Sequence, residues 1–251
     1  MLFDHQKKST FLNGKDHHRP LLPIVSPSLM VADQTQLLKD SLHVLSAHGG
    51  ACEWLHVDVI DGHFAPNMSF CPDTVRALRQ HLPHAFLDCH LMVTDPEKWI
   101  EPFAKAGASN FVFHYEITKD RTEEVCNKVR AAGMQVGVAL KPDTPADVLF
   151  PLLERGVFDM VLIMTVVPGF AGQKFMPGPL AKVAQLRRRF PWVNIQVDGA
   201  INLGTVEQAA KAGANILVPG QAVFKAKDRK KAAETLRETV RSHLGKTPSK
   251  L

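Results

Sequence analysis

His56 and Asp58 stand two residues apart in an apolar, β-branched run from Trp54 to Val59. In a strand, residues i and i+2 point to the same face. His56 and Asp58 then share one face, and Leu55, Val57 and Val59 the other. Two polar side chains on a buried strand face are costly to desolvate, a cost that either an ordinary His–Asp pair or a bound cation can offset. A second imidazole, His90, ends the run Leu87-Asp88-Cys89-His90, and a second carboxylate, Asp198, ends Gln196-Val197-Asp198. A lone histidine at a strand end is ordinarily a hydrogen-bonded core residue. Four such groups at consistent positions on three strands read instead as a ligand set for one divalent ion. Mixed nitrogen and oxygen donors suit zinc first, with iron, manganese or cobalt as alternatives. His114 ends a fourth run without a companion, and its role stays open between core and site.

Glycine-containing turns follow three later runs. Pro168-Gly169-Phe170-Ala171-Gly172-Gln173 comes after Met164-Thr165, and Asp198-Gly199-Ala200 and Gly220-Gln221-Ala222 come after the next two. Glycine lets a backbone approach a ligand closely. Late turns that open onto a short helix hold phosphates through backbone N–H groups. Each turn is ordinary alone; three in succession point to a phosphate site. A cation flanked by Asp58 and Asp198, with a phosphate anchor opposite, suits a phosphorylated sugar that carries a carbonyl. A cation beside that carbonyl and its neighbouring hydroxyl stabilises an enediolate as the α-proton leaves. Two carboxylates on opposite faces of the carbon allow one to remove the proton and the other to return it. The centre inverts, and the two aspartates exchange roles with direction.

Such a constellation needs a scaffold that gathers strand ends. From Leu22 onward short apolar runs alternate with longer amphipathic ones, the pattern of βα units around a parallel sheet. Strands are expected at 24–26, 54–59, 85–90, 110–114, 135–140, 160–164, 194–197 and 216–218. Helices are expected at 34–47, 72–81, 96–105, 121–131, 146–153, 178–190, 205–211 and 227–243. Asp33, Asp95 and Thr144 sit where N-caps belong, and Gly49, Gly107, Gly133 and Gly213 where helices stop. Eight alternations in 251 residues point to an α/β protein with a single-domain (β/α)8 TIM barrel, a doubly wound sheet being the alternative. The barrel is expected over 23–244, after a flexible extension at 1–22 and before a tail at 245–251. His5, Asp16, His17 and His18 in that extension read as part of a polar arm.

Composition narrows the function. Hydrophobic residues make up 45% of the chain and the formal net charge is +5. No basic stripe interleaves with aromatics, so nucleic acid is not expected as a partner; a mildly basic balance suits an anionic small molecule. No apolar run reaches the ~20 residues of a membrane helix, and no membrane partner is expected. Cys52, Cys71, Cys89 and Cys126 form no CxxC pair and read as reduced thiols of a non-secretory protein.

The chain from about Pro23 to Arg241 resembles the ribulose-phosphate 3-epimerase family, barrel enzymes of the pentose phosphate pathway. The stretches that carry the likeness occur in order: Ser26-Pro27-Ser28-Leu29, Leu55 to Asn67, Asp88 to Val93, Val136 to Pro145, Met164 to Phe175, Gln196 to Ile201, and the turn at Gly220. The resemblance implies that His56, Asp58, His90 and Asp198 bind the metal and that Asp58 and Asp198 are the acid/base pair. It places Ser26 near the reacting hydroxyls and Met92 and Met164 beside the enediolate. It assigns the phosphate to Gly169, Phe170, Ala171 and Gly172, to Gly199 and Ala200, and to Gly220 and Gln221. The expected partners are a phosphorylated ketose and further copies of the chain in a homo-oligomer. A related hexulose-phosphate (allulose 6-phosphate) 3-epimerase and a non-catalytic sugar-phosphate-binding paralogue are the rival readings.

The chain departs from the family pattern at several places. Val167 replaces the usual acid or amide, and Ala171 and Ala200 replace loop glycines. Pro219-Gly220-Gln221 replaces Ser-Gly-Ser, Ile60 replaces a third sulfur, and Cys71 stands where a glycine is usual. None is a metal ligand or an acid/base residue. Ser249-Lys250-Leu251 matches a peroxisomal targeting tripeptide. It implies an import receptor as partner and a peroxisome or glycosome-type microbody as location, with the cytosol as a second one.

Overall fold

The computed structural model describes residues 20–245. The expected arm before Pro20, with its histidines, and the targeting tripeptide lie outside the described residues. The strands are β1 (Ile24–Val25), β2 (Trp54–Ile60), β3 (Phe86–Met92), β4 (Asn110–His114), β5 (Gln135–Leu140), β6 (Met160–Met164), β7 (Asn194–Ile201) and β8 (Ile216–Pro219). They pair in parallel in the order β1-β8-β7-β6-β5-β4-β3-β2. The ring closes between its two ends, where Glu53 N–H donates to Val25 O at 3.2 Å and His56 N–H to Pro27 O at 3.1 Å. A doubly wound sheet would keep two open edges, so the barrel holds and the alternative does not.

Strands buried on both faces need apolar side chains on both, and the chain supplies two separate sets. Val25, Leu55, Val57, Leu87, Cys89, Leu91, Phe111 and Phe113 face outward and pack under the helices with no exposure. Burial of each large apolar side chain contributes about 1.5–3 kcal/mol. Ile24, Trp54, Phe86, Val112, Met160, Leu162, Met164 and Ile216 form a smaller cluster inside the ring. Trp54 stacks on Phe86 at 4.2 Å between centroids and plugs the floor. The polar residues of β2 and β3, His56, Asp58, Asp88 and His90, sit above this plug and are buried.

The helices are α1 (Leu37–Leu45), α2 (Pro72–His81), α3 (Glu97–Ala106), α4 (Tyr115–Thr118), α5 (Thr122–Ala131), α6 (Phe150–Glu154), α7 (Leu180–Arg189), α8 (Val206–Ala212), α9 (Gln221–Phe224) and α10 (Arg229–His243). The eight long segments expected from periodicity are present, with ends displaced by up to four residues. The four-residue α4 and α9 are too short to leave a period. Asp33 caps a 3-10 turn by accepting from Thr35 N–H. Thr144 does not cap: Pro145 occupies the cap position and Thr144 Oγ1 donates to Glu116 instead. Asp95 stands before Pro96 at the start of α3, where its carboxylate accepts from the Lys98 backbone N–H and pairs with the Lys98 ammonium at 3.0 Å. Gly107 and Gly213 end α3 and α8 in the left-handed region, at φ 90° and 107°, as helix-stopping glycines do.

Two arginines lock the opposite, non-functional end. Arg79 donates to Gly107 O, Ala85 O and Ser109 Oγ. Arg187, one half-barrel later, donates to Gly213 O, Val193 O and Asn215 Oδ1. With that end tied, the strand ends at the mouth are the parts free to carry loops and chemistry.

Candidate active site

Register brings the polar pairs together. In the β2–β3 ladder His56 stands opposite Asp88 and Asp58 opposite His90, so one histidine and one carboxylate from each strand share the interior. Asp198 arrives from β7, paired to Met164 of β6. Its position depends on an irregularity between Asp198 and Ile201, where Gly199 (φ 123°) and Ala200 (φ 55°) both enter the left-handed region. Strand β7 therefore runs four residues past its expected end, because Gly199 marks a bulge and not a stop. A side chain at Gly199 would strike Val166 at 2.7 Å. Thr165 Oγ1 holds the bulge by donating to Gly199 O at 2.7 Å.

His56, Asp58, His90 and Asp198 meet: one donor atom from each lies within 4.8 Å of the other three. His56 Nε2 is 3.4 Å from Asp58 Oδ1 and 3.8 Å from Asp198 Oδ2. His90 Nδ1 is 3.5 Å from Asp58 Oδ1 and 3.6 Å from Asp198 Oδ2. Both imidazoles are fully buried, and neither of these nitrogens has a hydrogen-bond partner. Around a tetrahedral ion with bonds of about 2.0–2.2 Å, neighbouring donors stand about 3.3–3.6 Å apart. Two carboxylates also balance the charge of one divalent cation. On spacing, orphaned donors and charge, the residues fit such an ion.

The far side of each imidazole is accounted for. His56 Nδ1 lies 2.8 Å from Asp88 Oδ2, and Asp88 is held by Asn110 Nδ2 and Gln196 Nε2, each at 2.7 Å. His90 Nε2 lies 3.0 Å from His114 Nε2, and His114 Nδ1 lies 3.2 Å from Glu116 Oε2. His114 is thus a companion of His90 and does not join the four-residue cluster. Asp88 went unassigned in the sequence, although its position two residues before His90 repeats the spacing of His56 and Asp58.

The charges in this layer shift one another strongly. Burial alone would lower the pKa of His56, but Asp58 and Asp88 hold it well above its usual value. Burial would raise Asp58, yet His56 and His90 drive it far below the usual carboxylate range. Burial likewise works against the charge on His90, which Asp198 and Asp58 push up. His114 is pushed down to about 4, first by burial. Glu116 resists its burial and falls to about 2 through bonds from His114, Thr144 and Lys141.

Beside the cluster lies a cavity of ≈ 200 Å³, lined by Asp58, Asp198, Met92 and Met164 and by the glycine turns. Gly169, Phe170, Ala171, Gly172, Gly199, Ala200, Gly220 and Gln221 all reach its wall. Ser26 does not. It is wholly buried below the mouth, and Ser28 takes the expected place, donating from Oγ to Asp58 Oδ2 at 2.6 Å. Two residues of extended chain rise about 6.6 Å, which separates a serine inside the floor from one at the mouth. A third sulfur also reaches the cavity: Met30 lines it and packs with Ile60 and Met92. Gln173 works as a staple, donating to Val167 O and Phe170 O at 2.6 and 2.8 Å. Asn67 Nδ2 ties Gly169 O to the β2 loop at 2.7 Å.

Fold and site together define a (β/α)8 barrel with its chemical groups gathered at the C-terminal mouth. The overall shape is shared with 3-hexulose-6-phosphate synthase from Salmonella typhimurium, at a TM-score of 0.63 and 18% identity over 89% of this chain and 99% of that one. Sequence is more specific. The model of the ribulose-phosphate 3 epimerase family matches residues 24–224, and the chain belongs to that family. It is 45% identical to the ribulose-phosphate 3-epimerase of Eremothecium gossypii, over 88% of this chain and 95% of the relative. It is 41% identical to the cytoplasmic isoform of the rice enzyme, over 89% and 96%.

Proposed function

We propose that this protein interconverts D-ribulose 5-phosphate and D-xylulose 5-phosphate by moving a proton at carbon 3. One observation carries the reading: Asp58 and Asp198 approach the same pair of imidazoles from different strands, and both line a cavity whose wall also includes three glycine turns. A ketose phosphate seated with its phosphate in those turns would present its carbonyl end to both carboxylates. One aspartate takes the carbon-3 proton, and the other returns a proton to the opposite face. Ser28, bonded to Asp58 Oδ2, orients the carboxylate and leaves Oδ1 toward the imidazoles. Met30, Met92 and Met164 give the planar carbon framework an apolar, polarizable wall. A divalent ion held by His56, Asp58, His90 and Asp198, zinc first, would stabilise the negative charge that develops on the substrate oxygens.

A phosphate held through the backbone N–H groups of these turns would be kept with Ala171, Ala200 and Gln221 in place, without the hydroxyl of the family pattern. The test compares ribulose 5-phosphate with ribulose and allulose 6-phosphates, in the metal-loaded and the chelated protein. Turnover of the pentose phosphate alone, lost with chelator, is the expected outcome; binding without turnover in the loaded protein refutes the reading. For location, the Ser249-Lys250-Leu251 tripeptide supports delivery by a peroxisomal import receptor, whereas the rice relative is described as cytoplasmic. Imaging the fluorescently tagged chain with and without those three residues decides between them.

A further inference from the structure

We infer that Glu116 is a positioning residue which, through His114, fixes the tautomer of His90 so that Nδ1 presents a lone pair to the candidate metal centre. The inference rests on the proposed metal reading and extends it outward by two residues. Glu116 Oε1 accepts the backbone N–H of Lys141 at 2.7 Å and the hydroxyl of Thr144. Oε2 faces His114 Nδ1 at 3.2 Å. A carboxylate only accepts, so the proton of this bond belongs to His114 Nδ1. His114 Nε2 is then a lone pair. It lies 3.0 Å from His90 Nε2, which supplies the proton. The nitrogen left bare on His90 is Nδ1, the one near Asp58 and Asp198.

Asp88 does the reverse for His56 in a single step. Its Oδ2 accepts a hydrogen bond from His56 Nδ1–H, which leaves the lone pair on Nε2, facing the same point. The two imidazoles therefore present opposite nitrogens, each selected from behind by a carboxylate. Outer partners of this kind orient ligand histidines and raise their basicity. Glu116 comes from α4, after β4, so this wall of the site depends on a strand that contributes no ligand. The sequence places Glu116 two residues after His114, and nothing in its spacing links it to His90.

Glu116→Gln tests the relay with almost no change of shape. The Lys141 N–H can only donate, so it claims the amide oxygen of the new side chain. The NH2 group must then face His114 Nδ1. That reverses each bond in turn and puts the His90 proton on Nδ1. The probe is zinc ion, titrated against a chelator of known affinity. Glu116→Gln should bind zinc about 10–100-fold more weakly than the unaltered chain. The double variant Glu116→Gln, His114→Gln should recover part of that loss, because a glutamine at 114 accepts or donates with equal ease. A purely structural role would make the two losses add.

Nitrogen-15 spectra of the zinc-loaded, unaltered protein supply a readout that needs no variant to fold. Ring protons are expected on Nε2 of His90 and on Nδ1 of His56 and His114. A ring proton on His90 Nδ1, or Glu116→Gln binding zinc as tightly as the unaltered chain, overturns the relay. An unaltered chain that takes up no zinc instead refutes the metal reading on which the relay rests.

Discussion

Asp88→Asn gives the sharpest measure of how the buried layer works. Asp88 is fully buried and accepts from three donors: His56 Nδ1 at 2.8 Å, Gln196 Nε2 at 2.7 Å and Asn110 Nδ2 at 2.7 Å. Asparagine keeps the shape but exchanges one acceptor for an NH2 group. If its oxygen serves His56 and Gln196, its nitrogen meets Asn110. Asn110 Oδ1 has no partner, so rotating that amide restores a hydrogen bond. All three contacts survive, and what is lost is charge. A charged bond contributes about 1 kcal/mol more than a neutral one, and removing a buried charge offsets part of the loss. A net destabilisation of about 1–2 kcal/mol is expected for the metal-free protein, a fall in Tm of about 2–8 °C at this chain length. The larger effect falls on the ion. His56 becomes a poorer base, and zinc affinity should drop about 10–100-fold.

Asp88→Leu provides the contrast, since it orphans all three donors at about 1–3 kcal/mol each. That approaches the whole stability of a domain, about 5–15 kcal/mol, and the variant should not yield folded protein. Chelator competition and thermal melting of the metal-free forms are the two assays. Unchanged zinc affinity in Asp88→Asn, or stability equal to the unaltered chain in Asp88→Leu, refutes the reasoning.

Three further outcomes follow from the site. Asp198→Asn should lower kcat for epimerisation by about 10²–10⁴-fold, the usual contribution of an acid/base group, while the metal-free fold survives; near-normal turnover in a coupled assay would end the paired-carboxylate mechanism. Ser28→Ala removes the 2.6 Å bond to Asp58 Oδ2 and should cost about tenfold in kcat/KM, roughly 1.4 kcal/mol, whereas Ser26→Ala, one layer below the mouth, should leave KM unchanged. Asp61 is lowered to about 2: its partial burial opposes this, but the N–H groups of Phe64, Thr94 and His63 prevail. A depressed carboxylate stabilises the fold above its unfolded pKa of about 3.8 and loses that contribution as pH falls toward 2. In the metal-free protein, denaturant midpoints measured from pH 5 to pH 2 should therefore fall less for Asp61→Asn than for the unaltered chain.

The clustered polar groups were legible in the sequence where a strand face repeats with period two, because alternation fixes which side chains travel together. That His56 and Asp58 share a face follows from that rule alone, and the eight βα alternations narrowed the scaffold to a barrel or a doubly wound sheet. The glycine turns were legible for a similar reason, since local backbone conformation selects the residue type. Gly199 was the exception: a terminator and a bulge demand the same left-handed backbone, and only the pairing of β7 with β8 distinguishes them.

Tertiary structure decided the rest, wherever a role depends on height within the barrel or on a neighbour in space. Ser26 and Ser28 share a composition and a local pattern, yet only one reaches the cavity, because strand register and not residue type sets the layer. Met30 and Gln173 acquire their roles from loops that meet across the mouth. Asp88 repeats the spacing of His56 and Asp58 and Glu116 lies two residues after His114, but that Asp88 backs His56 and His114 backs His90 is decided by contacts between strands. The sequence by itself determined the eight βα alternations and pointed to four polar groups at strand ends; closure of the ring excluded the doubly wound alternative. Only the closed ring decided which nitrogen of each histidine faces that centre, because a ring proton is held by whatever acceptor the neighbouring strand places behind it.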